Sequence, residues 1–202
     1  VLDRATKQPE RSLAGSRQAF AEAKQAGSTF FMAKAKMAES AALEALDQPE
    51  GELAAMQEAL AIARAAHSAV EESLALINLA DVYLRRKNFE AVLEMSQQSL
   101  ELASESQDGA LIATNKANMG FALFGLGRVE AGKRLAEEAL TETERTGASA
   151  EIVDLIAEYG HYLAEAGDYK GALALRDRQQ KVIDRIVSAA RHRDLLELRS
   201  KF

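Results

Sequence analysis

Asn78 and Asn118 occupy the same place in a pattern that recurs along the chain, and the same step connects them back to Ala38 and on to Glu158. A carboxamide both donates and accepts hydrogen bonds, so two of them on adjacent equivalent helices could hold an extended peptide backbone without reading its sequence. One helical turn further on come Ala41, Asp81, Phe121 and His161, and near the far end of the same face lie Arg85, Phe124 and Glu165. Asn78, Asp81, Arg85, Asn118, Phe121, Phe124, Glu158 and His161 together read as a peptide- or protein-binding groove. Phe121 and Phe124 are expected there as exposed aromatics beside the asparagines. The competing reading is that these positions are ordinary solvated polar residues.

Other chemistry finds less support. Gly125-x-Gly127 with Gly132 has the glycines of a nucleotide loop, but no strand pattern precedes it. His192-Arg193-Asp194 echoes a kinase triplet without any other kinase element. The three histidines, 67, 161 and 192, lack metal-ligand spacing, and no cysteine is present to supply thiolate or disulfide chemistry. No Ser or Thr is marked by an adjacent base. The expectation is therefore no catalytic residue, no metal and no cofactor.

The elements that must position the groove follow from the same step. Ala80, Gly120 and Gly160 recur in phase with Tyr83, Leu123 and Leu163, then with Lys87, Gly127 and Gly167, then with Phe89, Val129 and Tyr169. A second series, Ala19-Phe20, Ala59-Leu60, Ser99-Leu100 and Ala139-Leu140, falls on the same grid. Between Ser73 and Leu102 the apolar residues Leu76, Leu79, Ala80 and Tyr83 lie on one helical face. After the polar turn Arg86-Lys87-Asn88, residues Phe89, Val92, Leu93, Ser99, Leu100 and Ala103 lie on another. Neither helix can bury its face alone, so each pair must stack on the next. Ala or Gly at 80, 120 and 160 reads as close helix crossing. The glycines at 127 and 167 read as left-handed helix ends, and Lys87 in their place as a looser turn. Residues 10–26 read as a second-type helix without its partner.

Charge is unevenly spread. The net charge of −6 divides into +5 over residues 170–202 and −11 over the rest. That basic stretch is interrupted by Asp177, Asp184, Asp194 and Glu197, and Val182, Ile183, Ile186, Val187 and Ala190 recur in it at helical spacing. It therefore reads as a helix that packs on the array or on its own copy, giving a homodimer, in preference to one that binds nucleic acid or membrane. No stretch approaches the roughly 18 apolar residues that span a bilayer, and the expected location is cytoplasmic. A start at Val1 and an end at Phe202 inside a helical pattern fit a segment of a longer protein.

Leu79-Ala80-x2-Tyr83, Lys87-x-Phe89, Val92 and Ser99-Leu100, and again Gly160 through Gly167-Asp168-Tyr169 to Ala172, resemble the tetratricopeptide repeat. The usual Trp is absent, and the period, the step from Ala80 to Gly120 to Gly160, is longer than the usual one. The resemblance implies an all-α fold, a right-handed α-solenoid of antiparallel helix pairs with about four repeats plus a terminal helix. It divides the chain into a linker or disordered segment at 1–9, the array at 10–185 and a C-terminal connector helix at 186–202. The long period and the tail also resemble the arrays of bacterial tetratricopeptide-containing diguanylate cyclases and histidine kinases. This implies an interaction or sensory module that binds a peptide or protein in its concave groove. A self-associating scaffold without a ligand of its own is the alternative.

Overall fold

The computed structural model describes the backbone of residues 2–146 and 149–200, and the side chains of those residues except 2–7, 149, 190 and 192–200. The chain is built of helices: α1 (Leu2–Gln25), α2 (Thr29–Ala45), α3 (Pro49–Ala65), α4 (Ala69–Arg85), α5 (Phe89–Ser106), α6 (Gly109–Gly125), α7 (Val129–Thr146), α8 (Ser149–Glu165) and α9 (Tyr169–Ser200). From α2 onward the helix starts, Thr29, Pro49, Ala69, Phe89, Gly109, Val129, Ser149 and Tyr169, are evenly spaced at half the sequence period. Each helix packs on its chain neighbours. In addition the backbones of α2 and α4, α4 and α6, and α6 and α8 come close, whereas the odd-numbered helices reach one another through side chains, as where Arg64 of α3 donates to Gln98 of α5 and Arg178 of α9 to Glu144 of α7, each at 2.6 Å. The even-numbered helices therefore line the inside of the curve and the odd-numbered helices its outside, in a right-handed solenoid of antiparallel pairs.

The regular cadence comes from one repeated turn. Gly27, Asp47, His67, Lys87, Gln107, Gly127 and Gly167 all have positive φ, one at each described junction between helices. At Lys87 the backbone N–H bonds back to Leu84 O at 2.9 Å, and Asn88 N–H to Tyr83 O at 2.9 Å. At Gly127 and Arg128 the same two bonds measure 2.9 and 2.8 Å. The looser turn expected at Lys87 is thus corrected: its φ of 56° reproduces the glycine turns, because the two closing bonds hold a Cβ-bearing residue in the left-handed well. Replacing Lys87 by Gly relieves that strain, worth about 1–2 kcal/mol, against an entropic cost of about 0.5–1 kcal/mol. A net gain of about 0.5–1 kcal/mol in urea unfolding is the expected result. Side-chain capping completes several of the junctions, though not those at Gln48 and Ser68. Asp108 accepts from Ala110 and Leu111 N–H, Asn88 from Ala91 N–H, and Asp168 from Gly171 N–H.

Helix ends cross both of the expected division points. α1 includes residues 2–9: Leu2, Arg4, Ala5, Lys7 and Gln8 favour helix, and the helix carries Pro9 in its interior. No break separates 185 from 186, since α9 runs unbroken to Ser200. The second-type helix expected at 10–26 is the greater part of α1, which packs on α2, the first helix of the following pair.

One apolar cluster centres on Leu76, Leu79 and Ala59; a larger one holds Leu140, Phe121, Ile156, Tyr159 and Leu163. Close crossing is confirmed where α6 meets α7: a Cβ at Gly120 would lie 3.1 Å from Gly132 O, and one at Gly132 would lie 2.9 Å from Gly120 O. Gly160 is looser, with its nearest neighbour 3.8 Å from a built Cβ. Between α4, α5 and α6 the core carries a buried polar clasp. Ser99 Oγ lies 2.8 Å from Ser73 Oγ and accepts from Asn115 Nδ2 at 2.9 Å. The equivalent of Ser99 two repeats on, Gln179, donates to Val153 O at 3.0 Å, so a side-chain tie from second to first helix recurs.

Candidate functional site

The inner wall presents the candidate residues in three different states. Asn78 is half-buried, its amide turned toward Met37 Sδ on α2 at 3.7 Å. Asn118 is 8% exposed, and its amide makes no hydrogen bond with the described residues but keeps access to solvent; among the described residues the buried polar atoms without a partner are Ser96 Oγ and Asn115 Oδ1. Glu158 and His161 are exposed on α8; His161 Nε2 lies 3.4 Å from Glu165 Oε1, while Glu158 forms no ion pair among the described residues. Asp81 is exposed at the next turn of α4.

Arg85 serves the frame more than the groove. Its guanidinium bonds to Asp81 and to buried Glu52 and lies 3.3 Å from Glu44, so it ties α2, α3 and α4 together. Partial burial pulls its pKa down, but Glu52, Asp81 and Glu44 outweigh that and hold it above the usual value.

The expectation of exposed aromatics is corrected. Phe121 is 1% exposed, and its ring stacks on Tyr162 with centroids 4.6 Å apart and planes 10° apart. Phe124 is also buried, 5.8 Å from Tyr162 and 6.0 Å from Tyr159. Both rings are covered because α8 supplies two tyrosines, Tyr159 and Tyr162, at the same spacing as the phenylalanines. Tyr162 escaped the sequence reading because its grid equivalents, Ala42, Val82 and Ala122, are small aliphatic residues with no aromatic signal. A cleft of about 580 Å³ opens beside this aromatic stack, bounded by Arg85, Phe89, Phe124, His161, Tyr162 and Glu165.

The electrostatics of the wall are acidic toward α8. Desolvation pushes the Glu158 carboxyl up from its usual value, and the negative charges of Asp81 and Asp154 push it further, outweighing His161. Tyr162 is raised to about 12, by burial first and then by Glu158, Glu165 and Asp81. Asp81, on α4, therefore acts on groups two repeats away, and Arg85 of α4 borders the same cleft as His161, Tyr162 and Glu165 of α8. Although the Glu158 carboxyl is exposed, protein surrounds it on the inside of the curve, so exposure and desolvation coexist. A raised native pKa means the ionised carboxylate disfavours the fold. Glu158→Gln should then stabilise the protein at pH 7, and the gain should vanish as the pH falls below 4.5, the ordinary value, where both states are protonated. Urea denaturation at the two ends of that range measures it.

Among the described residues no group of three or more His, Cys, Asp and Glu side chains could hold a metal ion. No helix of the described residues is long and apolar enough to cross a membrane.

The fold has clear relatives among solved structures. The apo form of RapI superposes with a TM-score of 0.70 at 19% identity, over 89% of this chain and 50% of that one. A Rap protein complexed with Competence and Sporulation Factor gives 0.69 at 16% identity, over 90% and 49%. The TPR-like repeats of a putative kinesin light chain from Podosopora anserina give 0.69 at 13% identity, over 92% of both chains. This chain is a tetratricopeptide-like repeat array. It spans about half the length of the Rap structures it matches. No protein-family model matches its sequence, and no curated protein does.

The array accounts for the division of labour among the candidate residues. Asp81, Glu158 and His161 come close enough to act on one another; Phe121 and Phe124 are buried as packing, and Arg85 ties three helices together.

Proposed function

We propose that the array is a protein- or peptide-interaction module that holds an extended segment along the inner wall of α4, α6 and α8. The observation that carries this reading is Asn118: it sits in the wall with a carboxamide that bonds to none of the described residues and is not sealed from solvent, so its donor and acceptor are both open to a ligand backbone. Beside it, the unpaired Glu158 and the facing Asp81 favour a segment bearing Lys or Arg, because a cation there relieves like-charge repulsion. The likeness to a Rap protein complexed with Competence and Sporulation Factor supports the reading by analogy of fold. In this proposal the array is the regulatory or sensory part of a larger bacterial signalling protein in the cytoplasm. Ligand binding changes the pitch of the solenoid, and α9 passes that change on.

Peptides selected from a random phage-displayed library against the chain provide the test. They should be enriched in Lys and Arg, and their affinity should fall about tenfold or more on Asn118→Ala and on Glu158→Gln. Selected peptides that bind both variants as well as the parent would remove the groove assignment.

A second reading, a self-associating scaffold or homodimer, draws on the exposed Tyr169, Leu173, Ile186 and Val187 of α9. Sedimentation of the parent and of Ile186→Asp/Val187→Asp distinguishes it. A dimer that this pair disperses supports the reading, and a monomeric parent at all concentrations removes it.

A further inference from the structure

Three successive seams between helix pairs carry equivalent positions with different chemistry. Ala59 of α3 and Ala75 of α4 stand at the first, Ser99 of α5 and Asn115 of α6 at the second, and Ala139 of α7 and Leu155 of α8 at the third. The flanking seams are apolar at these positions. Ala59 and Ala75 belong to one core cluster, and Ala139 belongs to the other, with Leu155 packed against it. α7 and α8 stand farther apart than the other pairs, but Leu140, Ile152 and Ile156 fill the space between them. At the middle seam Asn115 Nδ2 donates to Ser99 Oγ and to Leu111 O, both at 2.9 Å, while Asn115 Oδ1 has no partner among the described residues. Ser96 Oγ, one turn earlier on α5, has none either, and both residues are fully buried. Ser99 is held more firmly on its other side, by Ser73 Oγ at 2.8 Å and Ser73 O at 3.1 Å, so α5 is tied to α4 more closely than to α6.

The opposite ends of α5 and α6 are joined by apolar contact. The Phe89 ring lies on Gly125 and leaves no room there for a Cβ, and Val92 shares a core cluster with Phe121. Phe89 with Gly125 and Ser99 with Asn115 thus mark two points about 15 Å apart along the antiparallel helices. A buried acceptor without a donor disfavours the closed contact, because water satisfies it as soon as the helices part; parting an apolar contact gains nothing of the kind. We infer that the α5–α6 seam is a hinge: α1–α5 and α6–α9 swing as two bodies about the contact of Phe89 with Gly125, and the seam parts at Ser99 and Asn115. α4 and α6 lie on opposite sides of it, so the swing alters the separation of Asn78 and Asp81 from Asn118. This gives the proposed change of pitch a place in the molecule. Its use rests on the peptide reading, but the hinge acts in the free chain, so either can fail without the other.

Pulsed electron paramagnetic resonance on the whole chain, without ligand, measures the swing. No native cysteine competes for the spin labels. Labels at Thr29→Cys and Ala110→Cys, both exposed, span the seam at its polar end; labels at Glu50→Cys and Glu130→Cys, also exposed, span it at the pivot end. The first pair should show two distances and the second a single narrow one. Asn115→Leu gives the middle seam the residue of the third and should lower the population at the longer distance about tenfold. Asn115→Ala, the residue of the first seam, should act in the same direction, and far-UV circular dichroism checks that both variants remain helical. The pivot-end distance should stay the same in each. A single narrow distance at both ends overturns the proposal. So do equal widths at the two ends, or a longer distance whose population neither substitution lowers. Peptides indifferent to Asn118→Ala would remove the groove and leave these distances as they are.

Discussion

Replacing Phe121 by Ala should destabilise the array by about 3–5 kcal/mol, the range for removing a buried aromatic side chain. The ring is among the largest fully buried side chains in the molecule, and it lies between two repeats, with its stacking partner Tyr162 on α8. Stability in a linear array divides into contributions within repeats and contributions between neighbours. The loss should therefore fall mostly on the junction of α6 with α8. Hydrogen exchange is the informative measurement: amides of α8 and α9 should lose protection first, while those of α2 to α4 keep most of theirs. Uniform loss along the chain would mean that the array unfolds as one block. The same substitution checks the reassignment of Phe121 from ligand contact to core, since a solvated groove residue would cost within about 0.5 kcal/mol.

Gly132→Ala should cost about 1–3 kcal/mol, an overpacking penalty set by one methyl group. A Cβ at Gly132 meets the Phe124 ring at 2.8 Å and Gly120 O at 2.9 Å; the ring can turn away, but the carbonyl belongs to helix backbone and moves only if α6 and α7 separate. Gly160→Ala is the matched control. With nothing closer than 3.8 Å, the new methyl fits. Removing a mid-helix glycine there should stabilise by about 0.5–1 kcal/mol. Urea midpoints that shift in opposite directions would establish that the glycines at 120 and 132 are set by helix contact, whereas Gly160 is not.

The sequence made the fold legible because each repeat restates the same packing problem. Ala80, Gly120, Leu79 and Leu163 recur where one helix must approach another, and their spacing located the hairpins before any contact was known. Turn geometry was legible only in part. Glycines at 127 and 167 announced the left-handed turn, but Asp47, His67, Lys87 and Gln107 adopt it too, through backbone bonds that no side chain signals.

The inner wall was legible as a set of positions but not as a set of environments. Phe121, Asn118 and Glu158 sit on one face by helical arithmetic, yet whether a face residue is covered depends on what the neighbouring repeat places over it. Tyr162 covers Phe121; no such residue covers Glu158. The ties from Arg85 to Glu44 and Glu52 escaped for the same reason, since they join three helices whose relative rotation periodicity does not specify.

The equal spacing of helix starts has a consequence for how such a molecule can change length. Cutting between two turns of the same kind, Lys87 and Gly127 for example, and rejoining the ends removes one hairpin and restores a junction of the same geometry. Duplication does the reverse. The number of hairpins, and with it the length of the concave face, can thus alter in whole steps without any remaining helix having to find a new kind of neighbour.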